Sequence, residues 1–289
     1  MAMNEADRRA RPIEWVGRTE MAYDQVSYNL VKRIAATLGK KAPKPGEALP
    51  DLWHWAFFQE PFEAAGLGSD GHPARGGFLP PADKRNRMWA GGRLAFFHPL
   101  IVGEDAFRTS TILSVEEKEG RSGQLLFVTV EHEYTQRGRL ALREEHDIVY
   151  REQGKASPGP KALGLPAAQW RREIVPTTTL LFRYSAVTFN GHRIHYDQDY
   201  ARQEEGYPAL VVHGPLIATF MLGEFQAQHP SATVQTMRYR AARPLFAPEP
   251  FTVAGSISGN GQAQVWAGSA DSVAMEAELT FALDNAQPD

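Results

Sequence analysis

Residues 188–197 read Thr-Phe-Asn-Gly-His-Arg-Ile-His-Tyr-Asp: an amide and a glycine, two histidines three apart, then an aspartate. Those residue types at that spacing suit three kinds of chemistry. Asn190-Gly191 is a dipeptide that favours a tight turn, in which case the histidines are polar decoration around it. His192 and His195 with Asp197 or Asp199 offer imidazole and carboxylate ligands to a metal. That reading is weak, because helical metal pairs stand four residues apart and the next candidate, His213, would have to fold in. The third is acid–base catalysis. Histidine is the side chain whose ordinary pKa lies nearest neutrality, so one held beside a reacting carbon can take a proton and return it.

A second feature follows downstream. Val211-Val212-His213-Gly214-Pro215 leads straight into an apolar segment. Unbonded N–H groups at a helix start can stabilise an oxyanion, and Gly214 lets the backbone approach a ligand closely. A base at His195 and an oxyanion hole at Gly214 together suit chemistry on the α and β carbons of a carbonyl compound.

Several elements must position these groups. Residues 215–228, PLIATFMLGEFQAQ, are apolar nearly all round and predict a helix wrapped by the fold, with Pro215 in its first turn. Residues 21–38 carry apolar groups at Val26, Leu30, Ile34 and Leu38 and predict an amphipathic helix. Alternation predicts strands over 107–115, 125–134, 140–150, 251–257 and 273–283, with Gly259-Asn260-Gly261 as a hairpin turn. A Gly/Pro-rich stretch over 151–170 divides the chain near its middle. The halves repeat: Arg93 and Arg238 are each followed by Pro-Leu and then an alternating strand, at an offset of 145 residues. A long antiparallel sheet curled round a buried helix, made twice, is an α+β double hotdog. The expected division is a non-catalytic first half with a leading helix over 1–155, a linker over 156–170, and a catalytic second half over 171–289.

Composition narrows the function. The chain of 289 residues has 31 Lys and Arg against 34 Asp and Glu, for a net charge of −3, so no basic field exists to hold nucleic acid. Cysteine is absent, which excludes disulfides, thiolate metal sites and a cysteine nucleophile. The charged N-terminus lacks the apolar run of a secretory signal, and no apolar run approaches a membrane span. A cytoplasmic protein with no membrane contact is the expectation.

The stretch Tyr184–Ala201, YSAVTFNGHRIHYDQDYA, resembles the signature of the MaoC-like enoyl-thioester hydratases, Gly-Asp-x-Asn-Pro-x-His-x-Asp with an alanine four residues after the last Asp. His195, Asp197 and Ala201 match it, as does the helix entry His213-Gly214-Pro215-Leu216. Asn190 stands where the family has its catalytic Asp, His192 where it has Asn, and Arg193 where it has Pro. The wording FNGHRIHYD is similar to the itaconyl-CoA and mesaconyl-CoA hydratase branch, related to mitochondrial 3-hydroxyacyl-thioester dehydratase type 2. GGFLPPADKRNRMWAGG (76–92), GRSGQLLFVTVEHEY (120–134) and HDIVYRE (146–152) extend that similarity into the first half.

The resemblance implies reversible hydration of the α,β double bond of a short C5 dicarboxylic acyl-CoA, itaconyl-CoA or mesaconyl-CoA giving citramalyl-CoA. The alternative is a 3-hydroxyacyl-thioester dehydratase acting on fatty chains; thioesterase chemistry and non-catalytic acyl-CoA binding are further readings. The CoA thioester is then the substrate, with no cofactor and no metal. His195 and Asn190 are the catalytic candidates. Asn190 cannot ionise and only orients water, which leaves Asp197 or His213 as helpers in proton transfer. Tyr184, His213, Arg238, Arg240, Arg93 and Trp89 are candidates for substrate or CoA binding, with Arg85, Arg87, Arg193 and Arg243 behind them. A dicarboxylate requires a cation, for which arginine's planar fork is suited. Monomer and homodimer both stay open, the homodimer slightly favoured, and one active site per chain is expected.

Overall fold

The computed structural model describes residues 12–73, 77–82, 85–120, 123–152, 164–270 and 272–283. Ten strands form one antiparallel sheet. In chain order the elements are β1 (Thr19–Gln25), α1 (Tyr28–Leu38), β2 (Arg85–Phe96), β3 (Asp105–Gly120), β4 (Gly123–Gln136) and β5 (Arg139–Glu152). Then come β6 (Trp170–Ile174), α2 (Thr178–Val187), α3 (Gln198–Gln203), α4 (Gly214–Gln228), β7 (Ala232–Ala241), β8 (Phe251–Gly259), β9 (Gln262–Ser269) and β10 (Ser272–Leu283). The strand order is β1-β3-β4-β5-β2-β7-β10-β9-β8-β6. Read outward from the β2–β7 seam, each strand of the first half has a counterpart at the same position in the second. Residues 156–163 of the expected linker lie outside the described residues.

The seam explains the repeat. β2 and β7 pair antiparallel from Gly91↔Arg240 to Ala95↔Thr236, so the two repeated arginines, Arg93 and Arg238, stand directly opposite each other. Glu145 faces Arg93 from β5 and Glu278 faces Arg238 from β10, which offsets the like-charge pair with a carboxylate on each side.

The helix entering at residue 214 forms as its sequence predicts. Leu216, Ile217, Phe220, Met221, Leu222 and Phe225 are all buried, and α4 packs on β6, β7, β8 and β9. Burial of each such side chain contributes about 1.5–3 kcal/mol. Its one internal carboxylate, Glu224, accepts from Gln228 at 2.9 Å and faces Arg172 at 3.7 Å.

The helix expected over 21–38 is shorter. Residues Thr19–Gln25 are a strand paired with β3, with every second side chain exposed, and α1 starts only after Ser27. Ser27 Oγ accepts from Leu30 N–H at 3.3 Å and caps the helix. The period of four begins at Val26; the residues before it obey a period of two. A second difference concerns the first half. It holds α1 and short 3₁₀ turns over Trp53–Ala56 and Ala64–Gly66, but no counterpart of α4 among the described residues.

Candidate active site

Asn190-Gly191 does not form a hairpin turn. The left-handed residue is Phe189, at φ 49°, and Asn190 closes a local turn instead, its Oδ1 accepting from His192 N–H at 3.0 Å. Asn190 N–H in turn donates to Ser185 O at 2.8 Å, tying the loop to the end of α2. Gly191 meets Gly71 of the first half backbone to backbone: a Cβ on Gly191 would lie 2.6 Å from Gly71 O. Only glycines allow that approach.

The chain then makes a 3₁₀ turn over Arg193–His195 that buries His195 to 7% exposure. His195 Nδ1 lies 2.7 Å from Val211 O. A carbonyl only accepts, so Nδ1 carries the proton and Nε2 keeps its lone pair. Burial pushes His195 down to about 4, against the carbonyl, which favours the cation. His195 is therefore a neutral imidazole at pH 7, with a lone pair on Nε2.

Its ring stacks on His213 at 3.7 Å and 19°. His213 caps α4 and has Nε2 2.8 Å from Ser185 Oγ, while Tyr184 meets it edge-on at 4.9 Å. Burial, then the neighbouring histidines, hold His213 well below the usual imidazole range. Gly214, the first helical residue, has an N–H with no acceptor inside its own helix. A Cβ there would lie 2.4 Å from Trp89 Cε3, so the first half covers the helix start with an indole ring. A bulge between Trp89 and Gly91 turns that ring to the same face as Gly92. Tyr239 then lies flat on it, ring centroids 4.5 Å apart and 22° from parallel.

Of the sequence candidates, His195, Asn190, His213, Gly214, Tyr184 and Trp89 thus come together. The arginines do not. Arg238 and Arg240 alternate with buried Met237 and Tyr239 and face outward, Arg240 held by Glu276 at 2.9 Å. Arg93 is held by Glu145 at 2.6 Å and Asp147 at 3.2 Å, and Arg243 donates to the carbonyls of Ser269 and Ser272. Arg85 faces Glu117 at 3.4 Å. Arg193 is clamped by Asp197 at 2.7 Å, and Asp197 also accepts from Tyr200 N–H as the cap of α3. Asp197 is thereby committed to structure. Arg87, exposed on β2, has a charge close enough to act on His192.

The structure adds two residues that the sequence reading passed over, Asp70 and His72. Asp70 O accepts from Arg193 N–H at 2.9 Å, and Arg193 Nη1 donates to Ser69 O at 3.0 Å, which docks this loop of the first half on the histidine segment. The His72 ring lies 4.2 Å from that of His192, which meets His195 edge-on at 5.5 Å. One donor atom each from Asp70, His72 and His192 falls within 4.8 Å of the others, close enough to share a cation or a proton. The only available signal was Asp-Gly-His inside a Gly-rich stretch, which by itself reads as a turn.

Residues 52–247 match the model of the family described as hydroxyacyl-thioester dehydratase type 2. The chain is 45% identical to mesaconyl-C(4)-CoA hydratase of Chloroflexus aurantiacus, over 85% of this chain and 89% of that protein. It is 29% identical to the mitochondrial hydroxyacyl-thioester dehydratase type 2 of Schizosaccharomyces pombe, over 72% of this chain and 78% of the relative. Among solved structures, HtdX of Mycobacterium tuberculosis superposes with a TM-score of 0.64 at 18% identity, covering 91% of this chain and 99% of that one. A second protein of that organism, described as a double hotdog fold, gives 0.58 at 13% identity, covering 92% and 96%.

Proposed function

This chain belongs to the hydroxyacyl-thioester dehydratase type 2 family, and on that premise we propose that it adds water reversibly across the α,β double bond of a short dicarboxylic acyl-CoA. The observation that carries the reading is His195: a buried imidazole with Nδ1–H fixed on Val211 O at 2.7 Å and Nε2 free as a base, beside the start of α4. In the proposed step Nε2 removes a proton from water and the hydroxide oxygen bonds to Cβ. The electrons of the double bond move to the thioester oxygen, and the resulting enolate takes a proton at Cα. The Gly214 N–H and the positive end of α4 stabilise the enolate oxygen.

Identity of 45% to a mesaconyl-C(4)-CoA hydratase supports a C5 dicarboxylic acyl group. Arg87, two residues before Trp89 on the same strand, is the cation we assign to its free carboxylate. The family description and the 29% identical relative support the second reading, a fatty 3-hydroxyacyl-thioester dehydratase.

The test is loss of the enoyl-thioester absorbance with itaconyl-, mesaconyl-, crotonyl- and long-chain enoyl-CoA, with a free-thiol assay alongside. Fastest loss on a C5 dicarboxylate without thiol release is expected. Preference for long chains moves the assignment to the second reading, and thiol release refutes both.

A further inference from the structure

Hydration needs an acid at Cα as well as a base at Cβ. Near His195, Asn190 cannot ionise and Asp197 is tied to Arg193 and Tyr200. His213 stacks behind His195 with one ring nitrogen engaged by Ser185. Four imidazoles lie in a row: His213, His195, His192 and His72, at centroid separations of 3.7, 5.5 and 4.2 Å. A carboxylate stands at one end of that row. Asp70 Oδ1 accepts from His72 N–H at 3.0 Å, and its Oδ2 lies 3.4 Å from His72 Nδ1.

We propose that the imidazole pair His72–His192, charged by Asp70, holds the proton delivered to Cα. This inference rests on the hydratase reading and assigns its missing acid. His192, 5.5 Å from His195, is the member that meets the substrate, since two adjacent carbons can bridge that gap. His72 is a positioning and charging residue, half-buried at 23% side-chain exposure, and can be recharged from solvent. The balance closes: water gives H⁺ to His195 and hydroxide to Cβ, the pair gives H⁺ to Cα, and His195 returns its proton to solvent as the pair regains one.

The geometry makes the pair act as one acid. Burial first, then the charges of His72, His195 and Arg87, hold His192 down to about 2 against the opposing charge of Asp70, so within the pair His192 relays the proton to Cα and does not store it. Asp70 is held below the usual carboxylate range: burial raises it, but the side-chain and backbone bonds to His72 and the charges of both histidines outweigh burial. A carboxylate with that preference favours a proton on its imidazole partner. The other charged and titratable groups facing the pair are Arg87 from β2, Arg193 and its partner Asp197, Tyr200 from α3, and His195.

The experiment uses the whole chain with the mesaconyl and crotonyl esters. His72→Gln and Asp70→Asn are expected to lower kcat by ~10–100-fold with KM nearly unchanged, and to move the alkaline limb of the kcat profile. Added imidazole is expected to restore part of the activity to His72→Ala. Histidine carbon-13 titration reads the same pair without turnover, and Asp70→Asn must lower the midpoint of the His72 resonance. Wild-type kcat and pH profile in His72→Gln overturn the proposal. So does a loss confined to KM, or a wild-type activity abolished by a chelator and restored by zinc, which makes the trio a metal site. An enzyme that hydrates no ester but shows the resonance shift sinks the hydratase reading and leaves the protonated pair standing.

Discussion

Gly214→Ala tests whether the first half builds the site. The added methyl would lie 2.4 Å from Trp89 Cε3 and 2.8 Å from Cζ3. Carbon atoms in contact need about 3.5 Å, so ring or helix must retreat by roughly 1 Å. The ring has little room. Tyr239 stacks on it at 4.5 Å, and Trp55 and His146 meet it edge-on at 6.0 and 5.9 Å. The helix start must therefore give way, and with it the Gly214 N–H proposed to hold the enolate. Overpacking of this kind costs about 1–3 kcal/mol of stability, and a shift of ~1 Å at a reacting group costs ~100-fold in rate. Urea denaturation and hydration of mesaconyl-CoA measure the two. Trp89→Leu in the Gly214→Ala background removes the obstacle, so the double variant is expected to be more stable than the sum of the single changes. A Gly214→Ala enzyme within threefold of wild type in kcat, with an unchanged melting temperature, refutes the argument.

Other outcomes follow from single contacts. His195→Gln keeps a donor for Val211 O and loses the base, so kcat falls at least ~100–10,000-fold while the fold persists; assay and circular dichroism check both halves. Folding holds His195 at about 4 against 6.5 unfolded, so between those values the unfolded chain binds the proton and the folded one does not. This contribution is whole above pH 6.5 and is lost as pH falls toward 4, up to about 3 kcal/mol. Urea curves of wild type against His195→Gln across that window measure it. Asn190→Asp keeps the acceptor for His192 N–H and should fold normally, whereas Asn190→Ala loses it and about 1 kcal/mol, seen as a lower melting temperature and slower turnover. Buried Glu144 accepts from Trp55 Nε1 at 3.0 Å and faces His54 at 3.4 Å; burial raises it, but His54 and the neighbouring imidazoles hold it down to about 2. Glu144→Gln should cost about 3–5 kcal/mol in denaturation experiments.

Much of this was legible in the chain because it is local. A helix apolar all round announces its own burial, and alternation announces strands, so α4 and β10 follow from their residues alone. Pairing of Arg93 with Arg238 is the spatial form of a repeat visible as two similar stretches. Arg238 and Arg240 lie away from the histidines for a physical reason. Spacing by two puts Arg238 and Arg240 on one face of β7, but only the packing of Met237 and Tyr239 decides that the face is the outer one. Asp70 and His72 were hidden for a different reason. Their meaning comes from a contact across more than a hundred residues, between Gly71 and Gly191, that no local period records.

That contact bears on the expectation of one site in a duplicated chain. Shifting Gly214–Gln228 back by the repeat offset of 145 residues lands on 69–83, where the second half's central helix would have its counterpart. The sequence there, Ser-Asp-Gly-His-Pro-Ala-Arg-Gly-Gly-Phe-Leu-Pro-Pro, carries three glycines and three prolines and cannot hold a helix. Residues 69–73 and 77–82 are accordingly loop. Freed from its own half, the loop reaches across to the other, pinned by Arg193 N–H on Asp70 O and by Ser69 O. With Trp89 it contributes what the second half lacks: a wall over the helix start, and a carboxylate beside the row of histidines. On the proposed mechanism, this loop completes the site of the other half, and the two halves act as a single catalytic unit.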